Sequence, residues 1–217
     1  MSAQASSRQA VLERVRAATG NTAPAAESYA RLPRKYIRRG VLDAEDSIQL
    51  MIERLREYDA DVVECAPNEL PAAIAAQLAG SGRHKFAAPA GLPSEWLVKG
   101  YEWKVDQPPL EAGEIEEAEG VVTAAFCGVA NSGTIVLHHS APEGRRILTL
   151  LPDWHLCILR ASQVVETLPE YFSRCEQVPP LVTWISGPSA TADIEMTRIK
   201  GVHGPRFLVV ILVRDRS

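Results

Sequence analysis

Apolar positions recur at two spacings along this chain, and the two alternate. In "SSRQAVLERVRAA" (residues 6–18), Ala10, Val11, Val15 and Ala18 make a short stripe at helical spacing, and Gly20 is a stop signal. "DAEDSIQLMIERLREYDA" (43–60) carries Ile48, Met51, Ile52 and Leu55 on one helical face, with Asp43 or Asp46 as the cap. "NELPAAIAAQLAGSG" (68–82) predicts another helix, ending at glycine. Shorter helices are expected in "PSEWLVKG" (93–100), "LEAGEIEEAEG" (110–120) and "TLPEYFSRCEQV" (167–178). Strand-like runs are "DVVECA" (61–66), "HKFAAPA" (84–90), "EWKVDQ" (102–107), "GVVTAAFCGVA" (120–130) and "GTIVLHHS" (133–140). They continue with "RRILTLLP" (145–152), "WHLCILRASQVV" (154–165), "LVTWIS" (181–186) and "RFLVVILV" (206–213). Several are apolar almost throughout, as strands buried on both faces are.

Helix and strand alternate in the first half, whereas the second half inserts strands joined by short turns such as "APEG" (141–144). Together they predict a three-layer α/β domain with a mixed sheet, parallel βα units plus an antiparallel section. Residues 19–40 hold Pro24, Pro33 and a basic cluster at Arg31, Arg34, Lys35, Arg38 and Arg39, and read as a linker. The expected organisation is an N-terminal helix and basic linker over 1–40 and an α/β domain over 41–217.

Composition narrows the function. Of 217 residues, 46% are hydrophobic, ample for a sizeable core. The 27 acidic residues outnumber the 23 basic ones, for a net charge of −4, which argues against a general nucleic-acid binder. No two of Cys65, Cys127, Cys157 and Cys175 have the close spacing of a zinc or iron–sulfur ligand set, and Cys127 and Cys157 fall inside apolar runs. No metal or cofactor is therefore expected in this chain, and a reducing compartment fits. No stretch reaches the roughly 18–20 apolar residues of a membrane span, and the first residues lack an apolar signal core. The expectation is a soluble, cytoplasmic protein.

In open α/β sheets, ligands collect beyond the carboxyl ends of the strands. Two loops have suitable composition. "CGVANSGTIVL" (127–137) offers Gly128 and Gly133 for close backbone approach and Asn131, Ser132 and Thr134 as short donors, and it also reads as a hairpin turn. "GPSATADIE" (187–195) places Ser189 or Thr191 to cap a helix over "ADIEMT" (192–197), with Asp193 and Glu195 near its positive end. Gly187-Pro188 should stop strand pairing before it. His203 lies in "GVHGP" (201–205), where an acid/base or anion-donor role competes with a structural one. His138 and His139 sit at a strand end on opposite faces, unsuited to chelating one metal, and His84 and His155 read as ordinary strand residues. There is no phosphate-binding "GxxxxGK", no "GxGxxG" and no "GxSxG".

"GVANSGTIVL" (128–137), "LLPDWHLCIL" (150–159), "ISGPSATADIE" (185–195) and "KGVHGPRFLVVIL" (200–212), in this order, resemble the LUD domain, and within it the lactate utilization protein C family. Ser132 departs from the threonine common at that place but keeps a hydroxyl. The resemblance implies a three-layer α/β/α fold around a mixed, mainly parallel sheet of about six strands, as in ribose-phosphate isomerase and CoA transferases. It implies a non-redox subunit of a system oxidising L-lactate to pyruvate, with two partner proteins carrying the iron–sulfur clusters. The candidate residues for binding a small carboxylate or phosphate, or for docking those partners, are Gly128, Asn131, Ser132, Gly133, Thr134, Gly187, Ser189, Thr191, Asp193, Glu195 and His203. The alternative is a stand-alone isomerase, CoA transferase or folate cyclo-ligase-like enzyme, with Glu195 or Asp193 as base or nucleophile and His203 as acid/base.

Overall fold

The computed structural model describes residues 7–20, 25–192, 198–200 and 204–215, with residues 25–26, 191–192 and 198–200 described by their backbone alone. Two compact units divide the chain at residues 37 and 38. The first unit holds α1 (Ser7–Thr19) and α2 (Ala25–Ala30). No residue of α1 is buried, and Arg34 lies over the Tyr29 ring, 4.4 Å from its centroid.

The second unit begins its regular structure with α3 (Ala44–Glu57), where the Asp43 carboxylate accepts the Asp46 N–H at 2.8 Å and so satisfies an orphan donor of the first turn. β1 (Asp61–Cys65), α4 (Leu70–Ser81), β2 (Lys85–Ala88), β3 (Glu102–Val105), α5 (Ala112–Glu116) and β4 (Gly120–Ala124) follow. Then come β5 (Cys127–Val129), β6 (Thr134–Leu137), β7 (Trp154–Arg160), β8 (Val164–Val165), α6 (Leu168–Arg174) and β9 (Thr183–Ile185). β10 (Ala190–Ala192), β11 (Arg198–Lys200) and β12 (Phe207–Val213) complete the order.

Six strands form one sheet in the order β1-β12-β7-β4-β2-β3, and every neighbouring pair in it is parallel. The antiparallel section is segregated in a smaller sheet, β8-β5-β6-β9, and in the β10-β11 hairpin. Alternation along β12 builds the layers. Leu208, Val210 and Leu212 face α3 and the small sheet, packing with Met51, Leu55, Ile135 and Leu137. Val209, Ile211 and Val213 face α4, packing with Ile74, Leu78, Leu156 and Ile158. Each such side chain contributes about 1.5–3 kcal/mol relative to exposure. This is the expected three-layer α/β fold.

Three expectations need correction. The run 120–130 is two strands, β4 and β5, in different sheets. Ala125 N–H donates to Ile158 O, extending the β4–β7 ladder, and the next N–H, of Phe126, donates to Val136 O and opens the β5–β6 ladder. The chain changes partner between adjacent residues without polar punctuation. The run 154–165 is likewise split: Gln163 accepts the Arg160 N–H at 2.8 Å and donates to Ala125 O at 2.7 Å, turning the chain before β8 joins β5. Residues 145–152 are not a strand. Arg146–Thr149 is a 3-10 turn, anchored where Arg145 clamps Asp106 through two bonds of 2.7 and 2.6 Å.

Gly133 joins the hairpin to α3. Its φ is +56°, and an added Cβ would stand 2.7 Å from Arg54 Cβ and 2.9 Å from the Arg54 carbonyl carbon. Gly133→Ala is expected to cost about 1–3 kcal/mol through backbone strain and that contact. Urea denaturation of the two proteins checks it, and an unchanged midpoint would refute the packing argument.

Candidate functional site

A cleft of about 170 Å³ opens between the large sheet and β9 of the small one. His155 of β7 and Leu208 of β12 lie against it from the large sheet, and these two residues are register partners, each second in its strand. The cleft therefore sits at the amino end of the parallel strands, not at the carboxyl end. The reason is topological. β9 lies in the small sheet and β12 enters the large sheet at its amino end, so the described ends of the connection, residues 186–189 and 204–205, line the cleft at that edge.

The two Gly-Pro corners meet there. Ser189 N–H donates to Pro205 O at 2.7 Å, which ties the start of "GPSATADIE" to the end of "GVHGP". Gly187 has φ +83°, and a Cβ on it would fall 2.5 Å from Tyr58 O, so a glycine is required. Of the helix expected over 192–197, only residue 192 is described, and it is in a strand; 193–197 lie outside the described residues. Ala190–Ala192 is extended and pairs antiparallel with Arg198–Lys200, so its backbone groups are committed to a hairpin. Asp193, Glu195, His203 and the Thr191 side chain lie outside the described residues.

Gly187 and Ser189 line the cleft. The 128–134 loop does not line it but backs it through hydroxyls. Ser132 Oγ pairs with Thr134 Oγ1 at 2.7 Å, and Thr134 Oγ1 pairs with Ser186 Oγ, a lining residue, also at 2.7 Å. Gly128 packs against Leu159 and Met51 instead, and Asn131 uses its backbone N–H on Glu166 O.

The charged and titratable part of the wall was not read from the sequence. Arg146 and Thr149 line the cleft beside His155. Arg146 Nη1 donates to the Thr149 carbonyl at 3.0 Å and to Thr149 Oγ1 at 3.1 Å. Burial pulls the Arg146 pKa down from its ordinary value, and as a guanidinium it stays charged. His155 is buried, with Nε2 on Thr123 Oγ1 at 2.8 Å. Burial first, and the Arg146 charge second, push its pKa down to about 3, so the imidazole is neutral. The signal available in the sequence was a histidine inside the apolar run "WHLCIL" (154–159).

The other histidines and the cysteines have structural places. His138 stacks on Phe126 and bonds Tyr171 Oη at 2.8 Å, while His139 Nδ1 donates to Gly144 O and Nε2 pairs with Thr183 Oγ1. Burial pushes the Cys127 and Cys157 thiols up to about 12, which disfavours the thiolate a metal needs. Among the described residues, no group of three or more His, Cys, Asp or Glu could hold a metal ion, and no helix is long and apolar enough to cross a membrane.

The LUD domain family model matches residues 48–213. The chain is 42% identical over 165 residues to a lactate utilization protein C of Deinococcus radiodurans, covering 74% of this chain and 76% of that one. To a lactate utilization protein C of Bacillus pumilus it is 30% identical over 196 residues, covering 81% and 82%. Among solved structures, a DUF162 family protein from Deinococcus radiodurans superposes with a TM-score of 0.67 at 35% identity, over 80% of this chain and 99% of that one.

The His155 shift has a testable sign. Its folded pKa of about 3 lies below the ordinary 6.5, so the unfolded chain takes up a proton that the folded chain refuses. The stability from this ring is complete above about pH 6.5 and falls as pH drops toward about 3. A proton titration followed by NMR should show the His155 ring neutral down to about pH 5. A midpoint near the ordinary value would contradict the burial seen here.

Proposed function

The chain belongs to the LUD-domain family, and on that premise we propose that it is a cytoplasmic, non-redox subunit of an L-lactate-utilization system. What carries this reading is the match to proteins called lactate utilization protein C along about three quarters of both chains. In this scheme L-lactate gives up two electrons and two protons to become pyruvate, and the electrons pass to iron–sulfur clusters held by two partner proteins. The high thiol pKa values of Cys127 and Cys157 support placing those clusters outside this chain.

This subunit would bind the small acid, present a surface to the cluster-bearing partners, or do both. The wall formed by 186–189 and Gly204-Pro205 is the part of the fold suited to that work, since two fixed corners hold it open beside a cation. The hydroxyls of Ser132 and Thr134 brace it from behind.

Deleting the coding sequence in a strain with no paralogue is expected to abolish growth on L-lactate while sparing growth on glucose. The affinity-tagged chain should also co-purify with two proteins whose absorbance is that of iron–sulfur clusters. Normal growth of the deletion strain on lactate would overturn the reading. So would turnover of a phosphosugar, an acyl-CoA or a folate by the purified chain alone.

A further inference from the structure

We propose that the cleft between the sheets binds a small 2-hydroxy or 2-oxo monocarboxylate, with the Arg146 guanidinium as the carboxylate anchor. This deepens the lactate-utilization reading, on which the choice of acid rests.

The anchor is defined by what Arg146 lacks. Arg54, Arg145, Arg206 and Arg214 each meet a carboxylate at 2.5–2.8 Å. Arg146 is half-buried and has no carboxylate partner among the described residues. A partly desolvated, unpaired charge is costly to keep. Thr149, itself 2% exposed, holds Nη1 through its carbonyl and its hydroxyl. That fixes the plane of the guanidinium and leaves the Nε–Nη2 edge without an acceptor among the described residues. Two parallel N–H groups on one edge match the two oxygens of a carboxylate.

Charge and size select the class. Arg146 is the only cation among the described lining residues, and His155 beside it is neutral, so the wall offers one positive charge to one negative charge. A phosphate dianion would be half-compensated. A cavity of about 150 Å³ holds a molecule of benzene's size, roughly six heavy atoms. The 170 Å³ here accommodates lactate or pyruvate, which have as many. Ser186 and the neutral His155 supply polar partners for the oxygen on C2, and Ile185 and Leu208 an apolar surface for the methyl group.

The test is calorimetric titration of the full chain with L-lactate, pyruvate and inorganic phosphate, alone and in complex with its cluster-bearing partners. At least one of the two acids should bind, and more tightly than phosphate. Arg146→Gln should weaken that binding by about tenfold or more, the loss of one charge-assisted pair. Arg146→Lys keeps the charge but not the two-donor edge, so it should weaken binding several-fold. It carries the test if the Gln variant does not fold. Phosphate binding tighter than either acid would overturn the proposal, as would wild-type affinity in the variants or no binding of either acid by chain and complex. Suppose growth on lactate requires the chain but Arg146→Gln restores it as well as wild type does. Then the anchor falls and the lactate reading stands. Normal growth of the deletion strain removes that reading while the titrations still decide the anchor.

Discussion

The last strand of the chain is inserted between β1 and β7, and the rest of the structure depends on that insertion. β12 pairs in parallel with a neighbour on each side and presents one apolar face to α3 and the other to α4. From Leu208 to Val213 both faces are buried, which is why the strand is apolar along that length. A parallel strand must be entered from the same end as its neighbours. The preceding segment therefore has to travel from β9 in the small sheet to the amino edge of the large one. The described ends of that connection, Gly187-Pro188 and Gly204-Pro205, line the cleft.

Within that space the electrostatics are asymmetric by construction. A neutral imidazole and a charged guanidinium stand side by side. The Arg146 charge helps to keep His155 unprotonated, and a neutral His155 leaves Arg146 without a like-charged neighbour. The hydroxyl of Thr149 fixes the orientation of the cation rather than neutralising it. The wall thus keeps a directed positive charge without a balancing acid among the described residues.

Much of the fold was legible because its strands are long apolar runs and its helices have capped ends, as at Asp43 and Gly82. The sheet boundaries inside 120–130 and 154–165 were not. Inside 120–130 no polar residue marks the change of sheet, and inside 154–165 the short polar turn at 160–163 is flanked by apolar runs on both sides. Glycine-rich loops attracted the functional reading. Gly187 and Ser189 do line the cleft, whereas Gly128 and Gly133 are glycine because α3 and β7 press against them. Arg146 and His155 were overlooked because chemistry inside an apolar run resembles packing until the facing sheet is known.

The chain of hydroxyls behind the wall has one more property. Each hydroxyl carries a single proton, so Ser132, Thr134 and Ser186 can be ordered in two directions. In one, Ser132 donates to Val129 O at 3.5 Å, each following hydroxyl donates backward, and Ser186 turns lone pairs toward the cleft. In the other, every proton points forward and Ser186 becomes a donor. The same wall can thus present a donor or an acceptor by reversing three protons, with no heavy atom displaced.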